Sequence, residues 1–201
     1  MIRVRDFAED SNGLRLYKGN GRYGLYMALS HRWGEGDEQF RTDKSNFETR
    51  CKEINFHELP KTFQDAVTVT RKLGVEYLWI DTLCIIQDDD DDRRRECSRM
   101  EQVFASAYCT LAATSAQDCS QGLFREDNDV SLGPENGYKS LCIREVDEDF
   151  SRDVEQAELN QRGWVFQERA LSRRIIHFTA AQTYWECGKM VSCESADQIH
   201  V

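Results

Sequence analysis

Two prolines and 12 glycines in 201 residues are too few for a fibrous or low-complexity chain. No apolar stretch approaches the roughly 20 residues that a membrane-spanning helix needs. The start, Met1-Ile2-Arg3-Val4-Arg5-Asp6, lacks the apolar run of a secretion signal, so a soluble, cytoplasmic protein is expected. Positive charge is scarce as well: 26 Lys and Arg face 36 Asp and Glu, a net charge of −10. Such a balance repels phosphate backbones and anionic membranes, so neither nucleic acid nor a membrane is an expected partner. Cysteines stand at 51, 84, 97, 109, 119, 142, 187 and 193, yet no two have the spacing of two to four residues that presents paired sulfurs to zinc. The nearest, Cys187 and Cys193 with His177 and His200 close by, read as ordinary core or strand residues, and all eight cysteines read as reduced thiols. No metal site is expected.

What is present is a globular composition, 40% hydrophobic and 31% charged, at a length suited to one domain. Residues 1–22, charged and dotted with Gly13, Gly19 and Gly21, read as a lead-in segment outside the core. The run Leu25 to Leu29 reads as a buried strand that empties into the polar loop Ser30-His31-Arg32-Trp33-Gly34. Leu59-Pro60-Lys61-Thr62 signals a helix start, and Phe63, Ala66, Val67 and Thr70 recur at helical spacing until Gly74. Val75 to Ile86 lacks strict alternation and reads as one strand covered on both faces, the mark of a parallel sheet. The aspartates 88 to 92 read as a helix cap, since acidic groups are favoured at a helix N-terminus; the central Gly of a calcium loop is absent. A helix striped by Cys97, Met100, Phe104 and Ala107 then leads to a third strand at Cys109 to Ala113. From about 117 to 160 the pattern weakens into an insertion with one strand-like piece at Ser140 to Arg144. A helix from Arg162 to Leu171 and strands at Arg174 to Phe178 and Thr183 to Cys187 complete the reading.

In an open parallel sheet, ligands bind beyond the carboxyl ends of the strands. Strand one delivers Ser30, His31, Arg32 and Trp33 to that rim, strand two Asp81 and Cys84, and strand three Thr114 and Ser115. In the last helix, 100° per residue puts Glu168 on the face of Trp164 and Leu171. That carboxylate is therefore partly buried, either ion-paired structurally with Arg162, Arg169 or Arg173, or functional. A thiol route, with Cys84 activated by His31, is a further possibility on residue type.

Three strings occur in order: Tyr26-Met27-Ala28-Leu29-Ser30-His31-Arg32-Trp33-Gly34, Leu78-Trp79-Ile80-Asp81-Thr82-Leu83-Cys84-Ile85-Ile86-Gln87-Asp88, and Arg162-Gly163-Trp164-Val165-Phe166-Gln167-Glu168-Arg169. Together they closely resemble the fungal heterokaryon-incompatibility (HET) domain, with His31 standing where that family usually has Tyr. The family looks like a remote relative of TIR domains. The resemblance implies an α/β fold for residues 23–201, a flavodoxin-like or TIR-like three-layer sandwich with a mostly parallel central sheet and the insertion at about 117–160.

Some TIR domains hydrolyse NAD at the nicotinamide–ribose bond with one glutamate. Trp164-Val165-Phe166-Gln167-Glu168 matches their Trp-x-x-x-Glu element, so the resemblance maps the catalytic acid onto Glu168. It also implies a substrate-binding set of Ser30, Arg32, Trp33, Asp81, Cys84, Trp164 and Gln167, with NAD or a related nucleotide as substrate and no separate cofactor. A carboxylate suits this chemistry because the breaking bond leaves a cationic, oxocarbenium-like ribose. The implied biology is a cell-death effector of self/non-self recognition that forms a homo-oligomer on activation, under an upstream receptor protein. The alternative is a non-enzymatic module that triggers death by oligomerisation.

Overall fold

The computed structural model describes residues 1–4, 13–18, 24–34, 40–124, 130–132, 141–143, 149–161 and 163–194. Two short strands, β1 (Ile2–Arg3) and β2 (Arg15–Leu16), precede β3 (Tyr26–Ser30), whose five residues are all buried. α1 (Phe47–Lys52) and α2 (Lys61–Lys72) lead to β4 (Tyr77–Trp79). A helical turn, α3 (Asp81–Cys84), and two helices, α4 (Asp90–Cys97) and α5 (Met100–Ser106), connect to β5 (Cys109–Ala112). β6 (Val130–Leu132) and β7 (Leu141–Ile143) pair with each other apart from the main sheet. α6 (Gly163–Leu171), β8 (Arg174–Phe178), β9 (Thr183–Cys187) and β10 (Met190–Cys193) follow. Among the described residues no helix is long and apolar enough to cross a membrane.

The main sheet runs β10-β9-β8-β5-β3-β4-β1-β2. β4, β3, β5 and β8 are parallel neighbours, while β1, β2, β9 and β10 join as antiparallel flanks. The expected mostly parallel sheet is thus corrected to a mixed one, with four of its seven pairings antiparallel. The reason lies partly in the segment expected to stand outside the core. Ile2, Val4, Leu14 and Leu16 are at most 6% exposed and join the main hydrophobic cluster, because β1 pairs with β4 and carries β2 alongside. At the other edge, the β9–β10 pair adds a strand that the sequence reading lacked.

Alternation along the strands divides the core. Met27, Leu29, Leu78 and Leu111 meet Phe63, Ala66 and Val67 of α2 on one face. Tyr26, Ala28 and Trp79 meet Phe104 and Leu171 on the other, where Val165 also packs with Ala112 and Ile175. Burying side chains of this size stabilises by roughly 1.5–3 kcal/mol each. α2 begins after Pro60 and ends at Leu73, with Gly74 at φ 74° reversing the chain. The aspartate run is a cap: Asp89 accepts the backbone N–H groups of Asp91 and Asp92.

The expected single strand from Val75 to Ile86 is corrected. The strand is only Tyr77–Trp79, and the chain then coils through α3, with Cys84 N–H donating to the Ile80 carbonyl at 2.7 Å. An unbroken apolar run fits a buried strand or a buried helix equally well, and here it is one followed by the other.

Candidate functional site

Across the parallel centre, the strands stand second, first, third, fourth in chain order. The chain therefore leaves β3 towards β4 on one side and returns past it to β5 on the other. Crevices for ligands open at such a reversal, beyond the carboxyl ends, here after Ser30 and Ala112. Two cavities lie at this edge. One, of about 490 Å³, is lined by Arg32, Thr114, Ser115, Arg152, Glu158 and Thr179 among others. The second, of about 670 Å³, is lined by Arg32, Trp33, Gly34, Gln117, Asp118 and Glu158.

Asp81 organises the mouth. Its carboxylate accepts the Trp33 indole Nε1–H at 2.7 Å and the Thr82 backbone N–H at 2.7 Å, and His31 Nδ1 lies 3.8 Å away. The helical turn of α3 is what lifts Asp81 to this place. Trp33 is 41% exposed, with its N–H occupied by Asp81. Ser30 is 3% exposed, and its hydroxyl lacks a hydrogen-bond partner among the described residues, as does that of Thr82. An orphaned buried hydroxyl is costly, which makes these two atoms candidates for contact with a ligand. Arg32 pairs with Glu158, which stands on a short 3-10 helix, Glu158–Gln161. The floor beside Gln117 is fastened to α2: Gly122 N–H donates to Thr62 Oγ1 and Leu123 N–H to Asp65 Oδ2. Gly122 has φ 87°, and a Cβ there would come within 2.7 Å of the same Asp65 oxygen.

Of the expected set, the structure joins Trp33 to Asp81 by a hydrogen bond and places Arg32 and Trp33 on one cavity, while Ser30 is buried at the end of β3 and, like Asp81, lines neither cavity. Cys84 is not with them. It lines a separate cavity of about 550 Å³ with Tyr26, Trp79 and Arg99, and its sulfur accepts the Ile80 N–H at 3.5 Å. His31 instead meets Asp81 and the edge of the Phe63 ring. Trp164 and Gln167 lie in α6 with their side chains outside the described residues, as does the whole of Arg162. Glu168 is half-buried on α6, on the sheet face of Ser30: Val165 packs against Ala112, the register partner of Ser30. Glu168 lines neither carboxyl-edge cavity.

A second charged group was not foreseen. Arg169 grips Glu186 of β9 with two hydrogen bonds of 2.9 Å, and the same carboxylate meets His177 Nε2 at 2.7 Å. His177 Nδ1 faces the Thr114 hydroxyl at 3.3 Å, and Arg169 stacks on the Phe150 ring. Burial raises the Glu186 pKa, but the hydrogen bonds from His177 and Arg169 outweigh it and bring it down to about 2. Burial lowers the His177 pKa, against the opposing pull of Glu186. A neutral imidazole donating its Nε2–H to Glu186 fits both directions. Because Arg169 is engaged here, it is a structural anchor for α6. Sequence reading also missed Glu158, Arg152, Gln117 and Thr179; nothing in their local pattern marks them, and only the tertiary fold gathers them.

The family profile described as Heterokaryon incompatibility protein (HET) matches residues 26–168. The chain belongs to the HET family. The HET segment opens on Tyr26, the first residue of β3, and closes on Glu168, so it spans three of the four parallel strands and the crevice between them. The antiparallel flanks and β8 lie outside the match. HET membership attaches a heterokaryon-incompatibility role to the chain. No match was found among curated proteins or among solved structures.

Proposed function

We propose that this HET chain is a cell-death effector that hydrolyses NAD, or a related dinucleotide, at the nicotinamide–ribose bond, with Glu168 as the carboxylate at the reacting sugar. The observation that supports the reading is the meeting of Arg32, Trp33 and Asp81 at the reversal point of the parallel centre, with Glu168 on α6, which packs through Val165 on Ala112 of β5. The four parallel strands of the mixed sheet stand second-first-third-fourth, as the first four of a flavodoxin-like sheet do, which supports a TIR-like reading.

In this reading Trp33, its N–H held by Asp81, offers a flat face to a base or nicotinamide ring. Arg32 faces the pyrophosphate, where a guanidinium forms paired, charge-assisted hydrogen bonds. The C–N bond to nicotinamide breaks with its electron pair leaving on the ring nitrogen. The ribose cation is stabilised by Glu168, and water adds to give ADP-ribose, nicotinamide and a proton. The Ser30 hydroxyl is available to a ribose hydroxyl.

Purified protein incubated with NAD is expected to release nicotinamide, and Glu168→Gln is expected to slow release by about 100-fold or more with the fold unchanged by circular dichroism. Undiminished release by the variant removes Glu168 from the role. A second reading, death signalling by self-assembly, is favoured by Phe166, which is 68% exposed on α6. It takes over if NAD is left intact while concentrated protein assembles and Phe166→Glu disperses the assemblies in sedimentation.

A further inference from the structure

We infer that Glu158 is an internal competitor for the anion-binding arginine of the crevice: in the resting chain its carboxylate occupies Arg32, and a diphosphate-bearing ligand displaces it. This rests on the nucleotide reading of the crevice and adds a regulator to it. The first support is position. Arg32 and Glu158, 126 positions apart in sequence, meet at the carboxyl edge, and with Gln117 they are the residues that line both cavities there. Their pair is a bar between two compartments, and opening it joins the Trp33 side to the Thr114 and Thr179 side.

The second support is exchangeability. The side chains of Arg32 and Glu158 are 29% and 66% exposed, and ion pairs in water contribute little. A pyrophosphate brings more charge than one carboxylate and more acceptor oxygens for the guanidinium fork. Thr114, Ser115 and Thr179 line the same space, as does Arg152, which pairs with Asp153 of the same wall. In a chain of net charge −10, freeing Arg32 from its carboxylate strengthens the local attraction for an anion.

The third support is that only a side chain has to move. Leu159, 1% exposed, is locked with Ala112, Val165 and Ile175, and Asn160 Nδ2 donates to the Val154 carbonyl at 2.6 Å. Before Glu158, Ala157 N–H donates to the same Val154 carbonyl at 3.2 Å, so the backbone is anchored on both sides and the Glu158 carboxylate turns out to water while its helix stays. The device is a latch on a side chain.

Isothermal titration with ADP-ribose, and separately with inorganic pyrophosphate, tests this without any turnover. Glu158→Gln is expected to tighten both by about three- to tenfold, Glu158→Ala to repeat the gain, and Arg32→Gln to weaken both by about tenfold or more. On the Arg32→Gln background, Glu158→Gln is expected to add little. The latch is overturned if Glu158→Gln binds no tighter than the native chain, if its gain is equally large without Arg32, or if no form binds either probe. A chain that releases no nicotinamide yet gains affinity on Glu158→Gln keeps the latch and loses only the proposed reaction.

Discussion

The Arg32–Glu158 pair and the His177–Glu186–Arg169 group both tie the sheet to the segment from Phe150 to Leu171, yet they differ in burial and in partner count. Glu158 pairs with Arg32 and stands two-thirds in water. Glu186 accepts three hydrogen bonds from two partners, beside a His177 side chain that is 1% exposed. A charge held in water is replaceable at little cost, whereas a desolvated charge cannot lose its partner without leaving another one stranded. The same residue types thus serve as an exchangeable contact at the crevice and as a fixed joint beneath it.

The comparison breaks first at the buried side. Glu186→Gln is expected to destabilise the fold by roughly 3 kcal/mol in urea titration, because Arg169 stays partly buried without its carboxylate; a loss below about 1 kcal/mol would put both groups in the same class. Acid sharpens the contrast next. Glu186 titrates near 2 in the folded chain, below its ordinary 4.5, so its contribution is present above about pH 4.5 and is lost as pH falls towards 2. His177 is likewise shifted below 6.5, and the stability linked to keeping it neutral begins to decline as pH drops through 6.5. Urea midpoints at pH 7, 5 and 3 are expected to fall in that order, with a loss linked to Glu186 on the order of 2–3 kcal/mol that is absent from Glu186→Gln. The smallest effect is at the crevice, where Glu158→Gln is expected to change stability by under about 1 kcal/mol.

Much of the parallel centre was legible because its signals are local. The apolar run at Leu25 to Leu29, the helical recurrence of Phe63, Ala66, Val67 and Thr70, and the runs at Cys109 and Arg174 each carry enough residues to show a period. β1 and β2 have two residues apiece, and two residues have no period; their burial depends on β4 being beside them. Asp81 and Cys84 show how one wrong period moves a site. Three steps along a strand and three steps around a helical turn send side chains in different directions, and the observed turn leaves Asp81 at the crevice while Cys84 enters another cavity. Arg32 with Glu158, and Thr114 with His177, are invisible to any window because each joins distant parts of the chain. The Trp-x-x-x-Glu helix was legible as a helix, but its joint to β9 through Arg169 was not, since spacing offers Arg162, Arg169 and Arg173 only as partners of Glu168, and Glu186 lies 17 positions away.

One consequence follows from how β8 joins the sheet. Thr110 and Ser172, 62 positions apart, share a hydrogen bond across that junction, so the excursion between them begins and ends at fixed posts. Doubling such an excursion costs only about 0.6 kcal/mol of closure entropy. Added length is therefore cheap only between its packed parts, since Ala112, Leu123, Leu159 and Val165 within it are buried, and exchanging residue 158 alone would change which side chain confronts Arg32 while leaving the strands that hold Arg32 untouched.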